Sequence, residues 1–279
     1  MNAVTFDVTL QAAPSGAHVA GMVNGTTGGL DGIDRSKAQS SNSNGMNFSD
    51  NTFNNFDSNR NPTINRTRNS VSDNSGRYVQ YALNYDKKFN DDGHKLTMDY
   101  QYSRNNDEND ATIEEEIFGN LGDNLIEKTI SIGKSINQLL QMDYVLPFGK
   151  DKKSQFEAGY RGNFNEIFTD YDFGQVNNGV FNSDPNYSNE LLYKENINAL
   201  YMQLGTKLKK FSVLGGLRME SSDIDINLIG TNDNNNKKYT NWFPSIFLGY
   251  EISAMEQFNI SYSKRLRRPW SRFINPFPS

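Results

Sequence analysis

The 279-residue chain contains no cysteine, which excludes a disulfide framework and any thiolate metal site. Its only histidines are His18 and His94, too few for a multi-histidine metal centre. No apolar run approaches the ~18 residues of a transmembrane helix, so no spanning helix is expected. Residues 1–30 lack a charged start followed by an apolar stretch, so no signal peptide is expected. A basic surplus is missing too: 28 Lys and Arg face 33 Asp and Glu, for a net charge of -5. That balance argues against a nucleic-acid partner. Residues 25–32, GTTGGLDG, lack the Lys-[Ser/Thr] ending of a phosphate-binding loop, and no cofactor is expected. None of these absences excludes a membrane protein built from strands, because barrel strands alternate apolar and polar residues and average out in hydropathy.

Aromatics are abundant, with 14 Tyr and 18 Phe, which sets the chain apart from disordered sequences. Alternation is the dominant pattern. In RYVQYALNYDKK, Val79, Tyr81, Leu83 and Tyr85 share one face, opposite Gln80, Asn84 and Asp86. In HKLTMDYQYSR, Leu96, Met98, Tyr100 and Tyr102 oppose Lys95, Thr97, Asp99 and Gln101. The same period of two, diagnostic of a half-apolar strand, recurs through Leu140–Leu146, Phe156–Phe164, Phe211–Met219, Ile246–Tyr250 and Phe258–Tyr262. The run 196–208 reads as a strand with mixed faces, and VTFDVTL and AHVAGMV near the start are weaker candidates.

Short turns are expected near 14–16, 90–93, 149–153, 209–210 and 253–256. Long polar segments, expected as loops, lie between them at 24–76, 105–130, 169–192 and 229–237. Short and long connections alternate, as in an up-and-down outer-membrane meander with short periplasmic turns and long extracellular loops. The aromatic excess fits the girdles of such a barrel. The expected fold is all-β: an antiparallel up-and-down meander of about ten strands, part of a transmembrane outer-membrane β-barrel. A soluble all-β domain, whose half-buried strands also alternate, is the competing reading of the pattern alone.

The last stretch, NISYSKRLRRPWSRFINPF, resembles a segment of TonB-dependent receptors of the Bacteroidetes type through Ser263, Lys264, Arg265, Arg268, Pro269, Ile274, Asn275, Pro276 and Phe277. Lys264 and Ile274 replace an arginine and a leucine of that pattern. DYVLPFG (143–149), FEAGYRG (156–162), GLRME (residues 216–220) and WFPSIFLGY (242–250) resemble the same family in the same order. The resemblance covers roughly 76–279. It implies an outer-membrane barrel that imports a scarce small ligand, with an internal plug domain and energy from the TonB complex. On this reading residues 77–279 are barrel strands truncated at both ends, and 1–76 hold a weak strand pair plus a long polar loop. The implied location is the cell outer membrane, with lipid and lipopolysaccharide as neighbours, and no enzymatic chemistry is expected.

Candidate site residues follow from parity. Asp99, Asp143, Glu157, Arg161, Arg218, Glu220 and Arg265 fall on polar faces, where a barrel would place them in the lumen for structural pairing or plug contact. Lys264, Arg267 and Arg268 are candidates for lipopolysaccharide phosphates, against a plain solvated strand end. Tyr171, Phe173, Phe181 and Tyr187 lie in a long outer segment with Asp170, Asp172 and Asp184, placed to stack on a ligand or on one another. The acidic run 106–116 is a calcium candidate without EF-hand spacing, against a solvated loop. Two other functions stay open: a stand-alone small outer-membrane barrel acting as pore or adhesin, and a soluble secreted glycan-binding β-protein. The wide apolar faces argue against the second, since such a band would aggregate in water.

Overall fold

The computed structural model describes residues 4–11, 20–27, 31–56, 58–60, 62–118, 124–149, 152–253 and 255–266. Among them are twelve strands: β1 (Val4–Gln11), β2 (Ala20–Thr27), β3 (Asp31–Phe56), β4 (Pro62–Lys88), β5 (Lys95–Phe118), β6 (Leu125–Phe148), β7 (Ser154–Asn177), β8 (Val180–Ser183), β9 (Asn189–Leu208), β10 (Phe211–Leu228), β11 (Asp233–Glu251) and β12 (Gln257–Ser263). β1 and β2 form a two-stranded sheet. The rest form a ten-stranded antiparallel meander in which each strand pairs with its sequence neighbours, except that β8 caps β7 and β9 returns to pair with β7. The expected turn at 14–16 lies outside the described residues.

Register makes the apolar face continuous. Directly paired residues in an antiparallel sheet share a face. One row runs Tyr85, Met98, Met142, Tyr160, Leu200, Met219 and Trp242 from β4 to β11. A second runs Leu146, Phe156, Leu204, Gly215, Ile246 and Tyr262 from β6 to β12. β9 settles its mixed faces: Leu200, Met202 and Leu204 on this side are 55%, 56% and 52% exposed, whereas Ile197 and Ala199 on the other are 9% and 0% exposed. An apolar wall that wide needs lipid against it.

Aromatic rings border the wall at two levels. Near the short turns, the Phe89 and His94 rings lie 4.4 Å apart, His94 Nε2 is 2.8 Å from the Tyr144 hydroxyl, and Phe211 packs on Tyr250 at 4.7 Å. Higher up, Tyr81 and Tyr102 lie 6.2 Å apart on the same face. Two such belts mark the two interfaces of a membrane-spanning barrel.

The polar segments at 24–76, 105–130 and 169–192, expected as loops, prove largely to be strand. β4 has 27 residues and β5, β6 and β7 have 24 each, well beyond the ~9–11 that cross a bilayer. β3 lies wholly within the first of these segments. The hairpins therefore project far past the apolar band. Their backbone groups are satisfied by the ladder itself, and side-chain pairs tie them: Arg66 to Glu115 at 3.4 Å, Arg68 to Glu127 at 3.2 Å and Lys128 to Asp110 at 2.8 Å. The β7–β8 link is a tight turn with Asn178 at φ 53° and Gly179 at φ 77°, the Asn-Gly pair that left-handed hairpin turns favour.

Candidate functional site

The face opposite the lipid wall carries the polar residues singled out by parity. One row runs Asn84, Asp99, Gln141, Arg161, Ala199, Glu220 and Asn241. The next, toward the short turns, runs Asp86, Thr97, Asp143, Gly159, Tyr201, Arg218 and Phe243. Glu157 sits one row further, between Val145 and Gln203. Each is positioned by strand alternation alone, so the site is a wall, not a pocket.

The groups on this wall are tied in short chains. Arg161 Nη1 donates to Gln141 Oε1 at 3.4 Å, and Gln141 Nε2 donates to Asp143 Oδ2 at 2.7 Å. Asn84 donates to Asp99, and both Gln155 and Gln203 donate to Glu157. Arg218 Nε donates to Glu220 Oε1 at 2.7 Å, and its guanidinium lies 5.8 Å from the Tyr201 ring centroid. Glu220 is 9% exposed, so this ion pair is shielded on one side while its arginine is held flat by the ring. The arrangement offers fixed carboxylate, amide and guanidinium groups along a wetted surface. It suits holding a polar body by hydrogen bonds.

Parity puts Gln141 on the polar face with Asp143 but does not single it out, nor Tyr201 and Gln203; these three link the charged residues. Register places Gly159 directly opposite Tyr201, and a glycine facing an aromatic ring across a strand pair is a recurrent packing device.

Other candidates fare differently. Arg265 lies past the end of β12 at Ser263, so alternation does not place it. Lys264 still donates its backbone N–H to Pro244 O at 3.2 Å. Arg267 and Arg268 lie outside the described residues. Tyr171 and Phe173 are on β7 and Phe181 on β8, not in a loop. Phe173 and Tyr187 pack edge to face at 5.6 Å, while Tyr171 lines a separate cavity of about 510 Å³ with Asp172, Ser188 and Asn189. The acidic run is part of β5, where Asp110 pairs with Lys128, Glu115 pairs with Arg66 and Glu114 accepts from Asn124 at 2.9 Å. No grouping of three His, Asp or Glu able to hold a metal occurs among the described residues.

On the outer hairpin of β10 and β11, Lys238 Nζ lies 2.9 Å from Asp223 Oδ2, and Asn236 donates to Oδ1 at 3.2 Å. The Lys238 hydrogen bond holds Asp223 below the usual carboxylate range, and the reciprocal bond raises Lys238. A lowered carboxylate stabilises above its unfolded value near ~3.9 and loses that contribution as pH falls. The raised lysine contributes below ~10.4 and loses it as pH rises further. Amide-exchange protection of this hairpin, corrected for the intrinsic exchange rate at each pH, is therefore expected to be greatest between these limits and to fall in acid. Asp223→Asn should abolish the acid-side change, and an unchanged profile in that variant would refute the assignment.

A lipid-facing apolar wall with aromatic borders, a hydrogen-bonded polar wall behind it and an antiparallel meander define a transmembrane β-barrel sheet. The model of the outer membrane protein beta-barrel family matches residues 87–279. The chain belongs to this family and is a protein of the cell outer membrane. Among solved structures it is similar to the ferric citrate transporter FecA in its unliganded form, at 11% identity and TM-score 0.45, over 88% of this chain and 38% of that one. It is also similar to the ferric yersiniabactin uptake receptor FyuA from Yersinia pestis, at 12% identity and TM-score 0.32, over 89% of this chain and 50% of that one. The chain thus spans half or less of the length of these two proteins. No curated protein matches it.

Proposed function

We propose that this chain supplies part of the barrel wall of a TonB-dependent receptor of the Bacteroidetes type, taking up a scarce small ligand across the outer membrane without covalent chemistry. The observation that carries the reading is the polar wall. It presents tethered charged groups over most of the meander, as a barrel filled by a polar plug requires and a narrow, apolar-filled barrel does not. The ordered segments at 143–149, 156–162, 216–220 and 242–250, with the basic stretch that follows β12, support it further. In this reading Asp99, Asp143, Glu157, Arg161, Arg218 and Glu220 face the lumen, where they pair across strands and meet the plug. The short turns lie on the periplasmic side and the long hairpins outside. Residues 77–279 are barrel wall, Lys264 with Arg267 and Arg268 stands near lipopolysaccharide, and the rings of Tyr171, Phe173, Phe181 and Tyr187 belong to the ligand-approach surface.

The test uses the native gene product, tagged in its own host and cross-linked in intact cells. A TonB adduct that forms with the energised inner membrane and fades when the proton gradient is collapsed is the expected result. No adduct, together with steady single-channel conductance of the purified chain in planar bilayers, would replace the receptor reading with a simple pore.

A further inference from the structure

On the lipid-facing side, two arginines stand just above the upper tyrosines. Arg77 is directly opposite Asn106, and Val79 is directly opposite Arg104. The arginines are thus diagonal neighbours on one face, a separation of about 7–8 Å that long side chains bridge. Both are exposed. Together with Val79, Tyr81, Tyr102 and Asn106 they line a groove of about 330 Å³.

Neither arginine is ion-paired with a described carboxylate, although Glu108, opposite Ser75, is a diagonal neighbour of Arg77 on the same face. Two lysines on this face are ion-paired, Lys128 with Asp110 at 2.8 Å and Lys194 with Glu166 at 3.3 Å. Lys134, which borders the adjoining cavity with Arg77 and Arg104, lies 5.6 Å from the Phe168 ring centroid. Arg104 Nε donates to Asn106 Oδ1 at 3.1 Å, and Arg77 makes no side-chain hydrogen bond or ion pair with the described residues. Glu108 borders the adjoining cavity but makes no ion pair with either arginine. Two like charges set diagonally on a strand pair repel unless an anion sits between them.

The level of the pair identifies the anion. Arg77 is eleven residues above Lys88, the last residue of β4, which at ~3.3 Å per residue and ~45° tilt is about 26 Å along the membrane normal. That is the far edge of an apolar band about 25 Å tall. A group held there has hydrocarbon below it and water above it. We infer that Arg77 and Arg104 bind the phosphate of an outer-leaflet lipid headgroup, with the Tyr81 and Tyr102 rings flanking its sugar or glycerol backbone and the apolar wall receiving its acyl chains. Guanidinium forks fit phosphate oxygens in a bidentate manner, and tyrosine is at home at this depth. The site rests on the outer-membrane assignment and on the proposed orientation with the long hairpins outside, and is independent of the uptake reading.

The test is titration of the refolded full chain, in an uncharged maltoside detergent, with phosphorylated lipid A and with the same lipid enzymatically dephosphorylated, read by native mass spectrometry. Wild type should bind phosphorylated lipid A ~10-fold or more tightly than the Arg77→Gln/Arg104→Gln double variant. Arg77→Lys/Arg104→Lys should be intermediate, since it keeps the charge without the fork, and it covers the case in which the glutamine variant fails to fold. Dephosphorylated lipid should bind wild type no better than phosphorylated lipid binds the double variant. Equal affinity of wild type and both variants would overturn the proposal. So would undiminished binding of dephosphorylated lipid, or displacement of lipid A by inorganic phosphate at equal concentration, which would mean a plain anion site. None of these outcomes bears on whether TonB cross-links to the native product.

Discussion

Met142→Arg is expected to destabilise the folded barrel by about 2–4 kcal/mol, whereas Gln101→Arg should stay within about 0.5 kcal/mol. Both positions are in the same hairpin, and both substitutions introduce the same charge. They differ in parity. Met142 lies in the apolar row between Met98 and Tyr160 and is six residues from Phe148, the end of β6. That puts it about 14 Å above the turn, close to the middle of the band, where a lipid-facing charge costs most. Gln101 lies opposite Ala82 and Leu139 on the other face and is exposed, so an added guanidinium there remains hydrated. Reversible urea unfolding in lipid vesicles, followed by tryptophan fluorescence from Trp242, measures both. Comparable costs at the two sites would mean that neither face meets lipid. The reverse order would mean that the register is shifted by one residue, which exchanges every side chain between faces.

That dependence on parity explains what the sequence could disclose. Wherever one face touches lipid and the other water, alternation is enforced, and Val79–Tyr85 or Leu140–Leu146 can be assigned by inspection. Beyond the band both faces are wet. The outer halves of β4, β5 and β6 then need no apolar residue on either side, so period two vanishes while the ladder continues. β3, with SSNSNGMNFSDNTFNNF, is a strand of this kind. Its polarity was read as a loop because hydropathy reports the solvent around a strand and not the strand itself. β8 was legible in principle, since Asn178-Gly179 is a strong hairpin signal, but it lay inside a segment already taken for a loop. On the polar wall, parity found the charged residues. It could not find their partners, because which amide reaches which carboxylate depends on register between strands far apart in sequence: Gln203 and Glu157 are 46 positions apart. Tyr201 escaped for the same reason, and because β9 is apolar on both faces, with Leu191, Tyr193, Ile197 and Ala199 buried inward.

Gly159→Ala should then be among the most damaging small changes available, costing about 1–3 kcal/mol. A Cβ at this position would run into the Tyr201 ring and stand 2.5 Å from the Met142 carbonyl oxygen. Neither neighbour yields freely: the carbonyl belongs to the β6–β7 ladder, and the ring is fixed against Arg218. The strand must move or the tyrosine must swing out. If it swings out, Arg218 loses the surface that keeps its Nε on Glu220, and damage at one glycine reaches the charged pair two strands away. Tyr201→Ala in the same chain removes the ring clash but not the carbonyl clash. The double variant should therefore be more stable than the sum of the two single effects, with a coupling of about 0.5–3 kcal/mol. Additive effects in that cycle would show that glycine is required for the backbone contact alone. A coupling that disappears when Arg218→Ala is added would trace the chain from glycine to ring to guanidinium, because only a ring held in place by its cation can resist being pushed aside.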